Sequence, residues 1–310
     1  MSFHHTPVLL AETLDMLRPQ PGGVFADGTL GGGGHSEAVL ERIGNTGRLY
    51  GIDRDQDALA AATARLESYP GFHAIHGNFH DAIALLDGVP PLDGALLDLG
   101  VSSYQLDTPE RGFSYHEDAP LDMRMDQSTG LTAADWLNTM PEQDIRQALY
   151  DYADERWGAR IAQIIVEMRA QQPFQVTGDL VRAVDKAIPR AVRSKDTGHP
   201  ARRTFQAVRI AVNDEIAPLR QALYDWLTLL KPGGRLCVIT FHSIEDRVVK
   251  QAFRAMQHPC ICPPKAPICT CGKTQLAKVL AGGAVKPSQS ETDQNPRARS
   301  AVLRGVEKVG

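Results

Sequence analysis

The chain has little of several things that mark whole protein classes. Only five of its 310 residues are cysteine, and four of them, Cys260, Cys262, Cys269 and Cys271, crowd into one short stretch. That excludes a disulfide framework spread over a small secreted scaffold. No run of about 18 apolar residues occurs, and the opening MSFHHTPVLLAETLDML has no basic flank followed by an uninterrupted apolar stretch. A spanning helix and a secretory signal are therefore not expected, and a cytoplasmic protein without membrane association is. Internal repeats and long low-complexity runs are absent. Basic excess is missing too: 33 Lys and Arg stand against 37 Asp and Glu, a formal charge of −4 that at first argues against a nucleic-acid partner.

What is present is unevenly placed. Residues 1 to 100 carry 5 basic and 13 acidic side chains, net −8, while residues 190 to 254 carry 12 basic and 6 acidic, net +6. Anions respond to local potential, so a phosphate-rich partner stays open for the second half. A length of 310 residues suits roughly two domains of about 150 each, with room for a sizeable core.

The first hundred residues alternate short apolar runs with helical patterns, the mark of a parallel sheet wound with helices. Strands are expected at Val24 to Asp27, Arg48 to Asp53, Phe72 to Ile75 and Gly94 to Leu99, with helices at Ser36 to Ile43, Ala58 to Leu66 and Asp81 to Leu86. The runs close at Asp, Asn or Gly, as where buried parallel strands reach the functional edge of a sheet. From about Thr108 to about Pro200 no buried strand is expected. Instead helices fall around Ala133 to Asn138, Glu142 to Tyr150, Arg156 to Ala170 and Gly178 to Ile188. A helical stretch from Thr204 to Leu230, bent near Pro218, then feeds a fifth strand, Arg235 to Phe241. This pattern describes a doubly wound α/β domain, residues 1–108 and 204–310, interrupted by an all-helical insertion over 109–203. The stretch Gly282 to Gln294 reads as a mobile loop.

Between the first strand and first helix lies DGTLGGGGH, Asp27 to His35. Its glycines allow a sharp turn and let a ligand lie against bare amides at a helix start. The G-x-G-x-x-G dinucleotide fingerprint is not met, since its sixth position falls on Ser36 or Glu37, and the Walker lysine is missing. Asp53 ends the second strand, where a carboxylate can accept both ribose hydroxyls; the competing reading is a helix cap, a role Asp55 can fill. Phe79, after the third strand, can cover an adenine face or be plain core. Asp98 ends the fourth strand in the same crevice. A nucleoside cofactor without a pyrophosphate clamp fits these positions, S-adenosylmethionine better than NAD.

The motifs HTPVLL (His5 to Leu10), DGTLGGGGHS (Asp27 to Ser36), GIDRD (Gly51 to Asp55), LLDLGVSS (Leu96 to Ser103), RGFSYHEDAPLDMRMD (Arg111 to Asp126), RTFQAVRIAVN (Arg203 to Asn213), PGGRL (Pro232 to Leu236), FHSIEDR (Phe241 to Arg247) and NPRARSAVLR (Asn295 to Arg304) closely resemble the bacterial RsmH (MraW) family from end to end. The resemblance implies a Rossmann-like class I S-adenosylmethionine-dependent methyltransferase domain with an inserted helical domain for RNA recognition. It further implies methylation of the exocyclic N4 of a decoding-centre cytosine of 16S ribosomal RNA in the small subunit. Carried onto this chain, the family's cofactor contacts fall on Gly33, Gly34, His35, Asp53, Phe79, Asp98 and Gln105, of which His35 and Gln105 come from the resemblance alone. The oligomeric state is open, a homodimer among the options.

Methyl transfer from a sulfonium is an in-line displacement, so positioning and exclusion of water are the main tasks. Cytosine N4 is a poor nucleophile, and acceptors at its hydrogens localise the lone pair. Amino-methyltransferases of other kinds place Asn/Asp-Pro-Pro-aromatic after strand four; here Asp98-Leu99-Gly100-Val101-Ser102-Ser103 stands instead. Acceptors are expected from Leu99 to Ser103, with Asp98 the one candidate catalytic side chain. His242 is a second candidate, against a structural histidine. RNA phosphates are expected to meet Arg190, Arg193, Lys195, Arg202, Arg203 and Arg209, with Gln206, Arg209 and Asn213 facing away from the apolar side of their helix. Competing functions are methylation of a protein or small molecule, and a non-catalytic ribosome-assembly factor. No metal ligand is assigned to the reaction. The block CICPPKAPICTC, Cys260 to Cys271, which some members of the family lack, leaves two readings open, a zinc site or a proline-stiffened loop with reduced thiols. Cys237 reads as core.

Overall fold

The structure, a computed structural model, describes residues 7–193, 198–263, 268 and 270–310. His5, Thr6, Lys195 and Cys269 lie outside these. Seven strands form one sheet: β1 (Val24–Asp27), β2 (Arg48–Asp53), β3 (Phe72–His76), β4 (Leu92–Asp98), β5 (Leu230–Thr240), β6 (Ala277–Val279) and β7 (Val302–Lys308). Their order is β3-β2-β1-β4-β5-β7-β6. Strands β1 to β5 pair in parallel, whereas β7 runs antiparallel between β5 and β6. Because the order runs outward from β1 in both directions, a crevice opens beyond the carboxyl ends of β1 and β4.

Buried parallel strands must be apolar on both faces, and β1 and β4 are: Phe25, Ala26, Ala95, Leu96 and Leu97 are all at most 1% exposed. The last two strands in sequence, β6 and β7, were not anticipated. In β7, Arg304 pairs with Asp246 of helix Ser243–Gln257 at 2.6 and 2.9 Å, and Glu307 pairs across the sheet with Arg235 at 3.0 and 2.8 Å. The segment 282–294, read as a mobile loop, is instead structured. Val285 pairs with Leu303, and helix Gln289–Gln294 is capped by Ser288, whose hydroxyl accepts the Glu291 amide at 3.2 Å.

The chain divides into two units, Met1–Gly100 with Pro218–Gly310, and Val101–Ala217. The second is larger than the expected insertion of 109–203. The reason is helix Arg202–Asn213, whose Phe205, Ala207 and Val208 join the core formed by Leu137, Ile145, Leu149, Ile161, Ile165, Leu180 and Val184. Asp214, at φ 48, ends that helix, and helix Leu219–Leu229 belongs to the sheet-bearing unit. Among the described residues the second unit holds no strand beyond the isolated bridge Pro120 to Val176.

Candidate active site

β1 delivers the chain into the glycine turn that precedes helix Gly34–Ile43. Gly31 and Gly33 sit at φ +51 and +76, a region that disfavours side chains. At Gly33 a Cβ would lie 3.2 Å from Leu66 and 3.3 Å from Ala62; at Gly34 one would lie 2.5 Å from Pro7. The turn is thus pressed between helix Gln56–Leu66 and the segment that begins at Pro7.

Three carboxyl groups gather at the ends of β1, β2 and β4. Asp27 is buried, and accepts the Thr29 amide at 3.1 Å and the Ser36 hydroxyl at 2.7 Å. The Thr29 hydroxyl accepts the Asp98 amide at 2.5 Å, tying β4 to the turn. Burial pushes the Asp27 carboxyl up to about 6, the hydrogen bonds from Ser36 and Thr29 opposing and the Asp53 charge adding. Asp53 accepts the Gly31 amide at 2.7 Å and the Asp55 amide at 2.9 Å, and burial raises its pKa too. The helix cap is Asp55, which accepts the Asp57 amide at 3.1 Å, so Asp53 is left to hold the glycine turn.

Asp98 has one oxygen, Oδ1, buried without a hydrogen-bond partner. Its Oδ2 lies 3.8 Å from His35 Nδ1. Burial, then the charges of Asp27 and Glu245, hold this carboxyl well above the ordinary range. His35 is itself buried, with Nε2 3.0 Å from the Val8 carbonyl; the carbonyl accepts, so Nε2 carries a proton and Nδ1 faces Asp98. Phe79, after β3, is half-buried, and its carbonyl accepts the indole N–H of Trp226 at 3.0 Å. Next to it burial pushes the His80 imidazole down to about 4.

The family model described as the MraW methylase family matches residues 2–309. The chain belongs to that family. Ribosomal RNA small subunit methyltransferase H of Symbiobacterium thermophilum is 50% identical over 312 residues, covering 100% of this chain and 98% of its own. The enzyme of the same name from Heliobacterium modesticaldum is 50% identical over 313 residues and the whole of both chains. Among solved structures, one described as a putative rRNA-methylase from Clostridium thermocellum aligns over 98% of this chain and 100% of its own at 12% identity and a TM-score of 0.47, a likeness too distant to bear on function.

This MraW methylase is a methyltransferase that uses S-adenosylmethionine. Its own residues fit that cofactor. Among the described residues no Lys or Arg forms an ion pair with Asp27, Asp53 or Asp98, and a ligand carrying a sulfonium and an ammonium would bring positive charge to them. Each oxygen of Asp53 keeps a second lone pair for a hydroxyl hydrogen after taking its amide.

Other expected residues take different roles in this methylase. His242 accepts the Glu245 amide at 3.3 Å and so caps helix Ser243–Gln257, the structural alternative. Glu245 in turn accepts the Phe241 amide at 2.9 Å. It is 2% exposed and contributes to the charge felt by Asp98. Sequence reading passed over Glu245, though its place three residues after His242 is the signature of a capping box. Thr29, Ser36 and Trp226 were missed as well. Gln105 lies in the inserted unit, where its side chain accepts the Ser102 amide at 3.0 Å in a capping box.

In the inserted unit the basic residues separate into two groups. Arg209 is a correction: it forms two hydrogen bonds to Glu215 at 2.8 and 2.9 Å, with both side chains largely buried. Arg193 pairs with Asp185. Asn213, expected to face away from the core, is buried and joins the Arg111 to Asp126 segment to its helix, accepting the Met125 amide at 2.8 Å and donating to the Met123 carbonyl at 2.7 Å. Gln206 donates to the Tyr152 carbonyl at 2.9 Å. Arg190 and Arg202 are exposed and Arg203 half-exposed, with no ion pair among the described residues. Beside Arg202 in sequence, the exposed His199 ring stacks on Tyr115, centroids 4.5 Å apart and planes at 14°.

Proposed function

We propose that this chain transfers the methyl group of S-adenosylmethionine to the exocyclic N4 of a cytosine in the decoding centre of 16S ribosomal RNA, in the small ribosomal subunit. The names of the two half-identical relatives support ribosomal RNA of the small subunit as substrate. The observation that carries the cofactor side is the set of three desolvated carboxyl groups, Asp27, Asp53 and Asp98, none of which forms an ion pair with Lys or Arg among the described residues.

In this reading Gly33, Gly34, His35, Asp53, Phe79, Asp98 and Gln105 bind the cofactor, which when bound presents a methyl group on positively charged sulfur. Asp53 takes ribose hydroxyls while its amide contacts keep the glycine turn fixed. Phe79 covers the base, its backbone held by Trp226. Asp98 is the catalytic group: a positive charge arriving beside it lowers its pKa and ionises it. Its unpartnered Oδ1 then accepts a hydrogen of N4, localising the nitrogen lone pair. The proton leaves after the methyl group has been transferred, so no separate base is required. Leu99 and Gly100, and Val101 to Ser103 beyond them, supply further acceptors, although the Ser102 hydroxyl already accepts the Gln105 amide at 3.2 Å.

The RNA side rests on the exposed Arg190, Arg202 and Arg203, with Tyr115 and His199 offering a flat ring surface for an unstacked base. The test is incubation with methyl-labelled S-adenosylmethionine and small subunits lacking the modification, followed by mapping of the labelled nucleotide. Label on one decoding-centre cytosine is expected. Label confined to protein, or none in RNA, overturns the substrate assignment. An Asp98→Asn variant with normal turnover and only weakened cofactor binding removes Asp98 from the chemistry.

A further inference from the structure

The cysteine block plays no part in the reaction above, yet its geometry is specific. Helix Ser243–Gln257 and β6 are joined by an excursion, residues 258–276, whose base is closed where the Leu276 amide donates to the Met256 carbonyl at 2.9 Å and the Val279 amide to the Gln257 side chain at 2.6 Å. None of its described residues is buried, and Ile261 and Ile268 are 70% and 75% exposed. Among the described residues no apolar core therefore draws its two arms together. Nevertheless the sulfurs of Cys260, Cys262 and Cys271, two from the outgoing arm and a single one from the returning arm, all lie within 4.8 Å of one another.

We propose that these three thiols bind a structural zinc ion. Four ligands at the corners of a tetrahedron with Zn–S bonds of about 2.3 Å stand about 3.8 Å apart, and the Cys260 and Cys271 sulfurs are 3.8 Å apart. A disulfide requires about 2.05 Å. The surroundings favour a metal thiolate in two further ways. The Thr270 amide donates to the Cys262 sulfur at 3.4 Å, which stabilises negative charge there. Gly272, directly after Cys271, sits at φ +63 with open space where a Cβ would be, so the glycine serves the backbone turn and not packing. Exclusively thiolate donors select zinc among the hard and borderline divalent ions. On binding, each thiol gives its proton to solvent and forms one sulfur–metal bond, so uptake is coupled to proton release. Cys237 makes the contrast: burial in the sheet pushes that thiol up to about 12, and among the described residues it belongs to no such cluster.

The site acts as a clip, holding closed an excursion that burial cannot hold. The test uses the full chain, purified under reducing conditions, stripped with a chelator and reloaded with zinc, with metal content read by mass spectrometry. One zinc per chain is expected, together with sulfur-to-metal charge-transfer absorption when cobalt replaces zinc. The double variant Cys260→Ser with Cys271→Ser is expected to lose both signals while keeping its thermal transition and S-adenosylmethionine binding, since no buried residue changes. Trypsin should cut the excursion at Lys273 faster in the stripped protein than in the reloaded one. Failure of the reloaded wild-type chain to hold stoichiometric zinc, or equal zinc in the double variant, overturns the proposal.

Discussion

Replacing Asp27 by Asn should make the cofactor-free protein more stable and its cofactor binding weaker. Asp27 is 3% exposed, and its carboxyl is pushed from 3.8 to about 6. The folded chain therefore keeps a proton on Asp27 at pH values where the unfolded chain has lost it. Protonation favours folding across that window: the benefit is complete below about pH 4 and gone once the pH exceeds about 6. At about 1.4 kcal/mol per pH unit, ionised Asp27 costs the folded state about 3 kcal/mol at neutral pH. Asparagine fits the same place, its carbonyl accepting from Thr29 and its amide donating to the Ser36 oxygen. The assay is urea denaturation followed by Trp226 fluorescence, in a background with Trp136→Phe and Trp157→Phe, because both of those lie in the other unit. At neutral pH the Asn variant should gain at most about 3 kcal/mol, and the gain should shrink to nothing as the pH falls to about 4. Calorimetric titration with S-adenosylmethionine should show lower affinity. A gain independent of pH, or a variant less stable at neutral pH, would refute the reasoning.

Separating Asp53 from Asp55 gives a second prediction: Asp55→Ala should cost about 1 kcal/mol of stability through the missing cap while leaving cofactor affinity little changed. Asp53→Ala should release the Gly31 amide and weaken cofactor binding measured by calorimetry. Arg209→Ala should destabilise the inserted unit by about 3 kcal/mol in hydrogen exchange, because Glu215 would remain buried and unpaired. Arg202→Glu with Arg203→Glu should leave stability near wild type but lower the salt dependence of RNA binding, by about 0.7 in logarithmic slope for each phosphate no longer neutralised. Trp226→Phe should cost about 1 kcal/mol, removing the hydrogen bond to the Phe79 carbonyl, with a raised cofactor KM at unchanged kcat.

Strands β1, β2 and β4 were legible because parallel strands buried on both faces appear as apolar runs, and the acids that end them point to the functional edge. β7 was not, because Arg304 and Glu307 break the apolar run, and the partners that satisfy them, Asp246 and Arg235, are 58 and 72 residues distant. The same division runs through the site. Asp53 and Asp98 stood out in the sequence as acids closing apolar runs, and both do end strands. Thr29 and Trp226 act through partners 69 and 147 residues away, which local pattern does not carry. Arg209 was misplaced because a count of charges cannot tell an arginine held by Glu215 from one left for phosphate.

The segment that starts at Pro7 presses on Gly34 and gives its Val8 carbonyl to His35, and its next amide, on Leu9, donates to Glu291 across 282 residues of sequence. On the ribosome the chain emerges from its amino end, so the Leu9 amide waits for a partner made 282 residues later. The residues that pack on the glycine turn are thus held by a side chain made long after the turn itself. A nascent or prematurely ended chain would carry the glycine motif without a finished site.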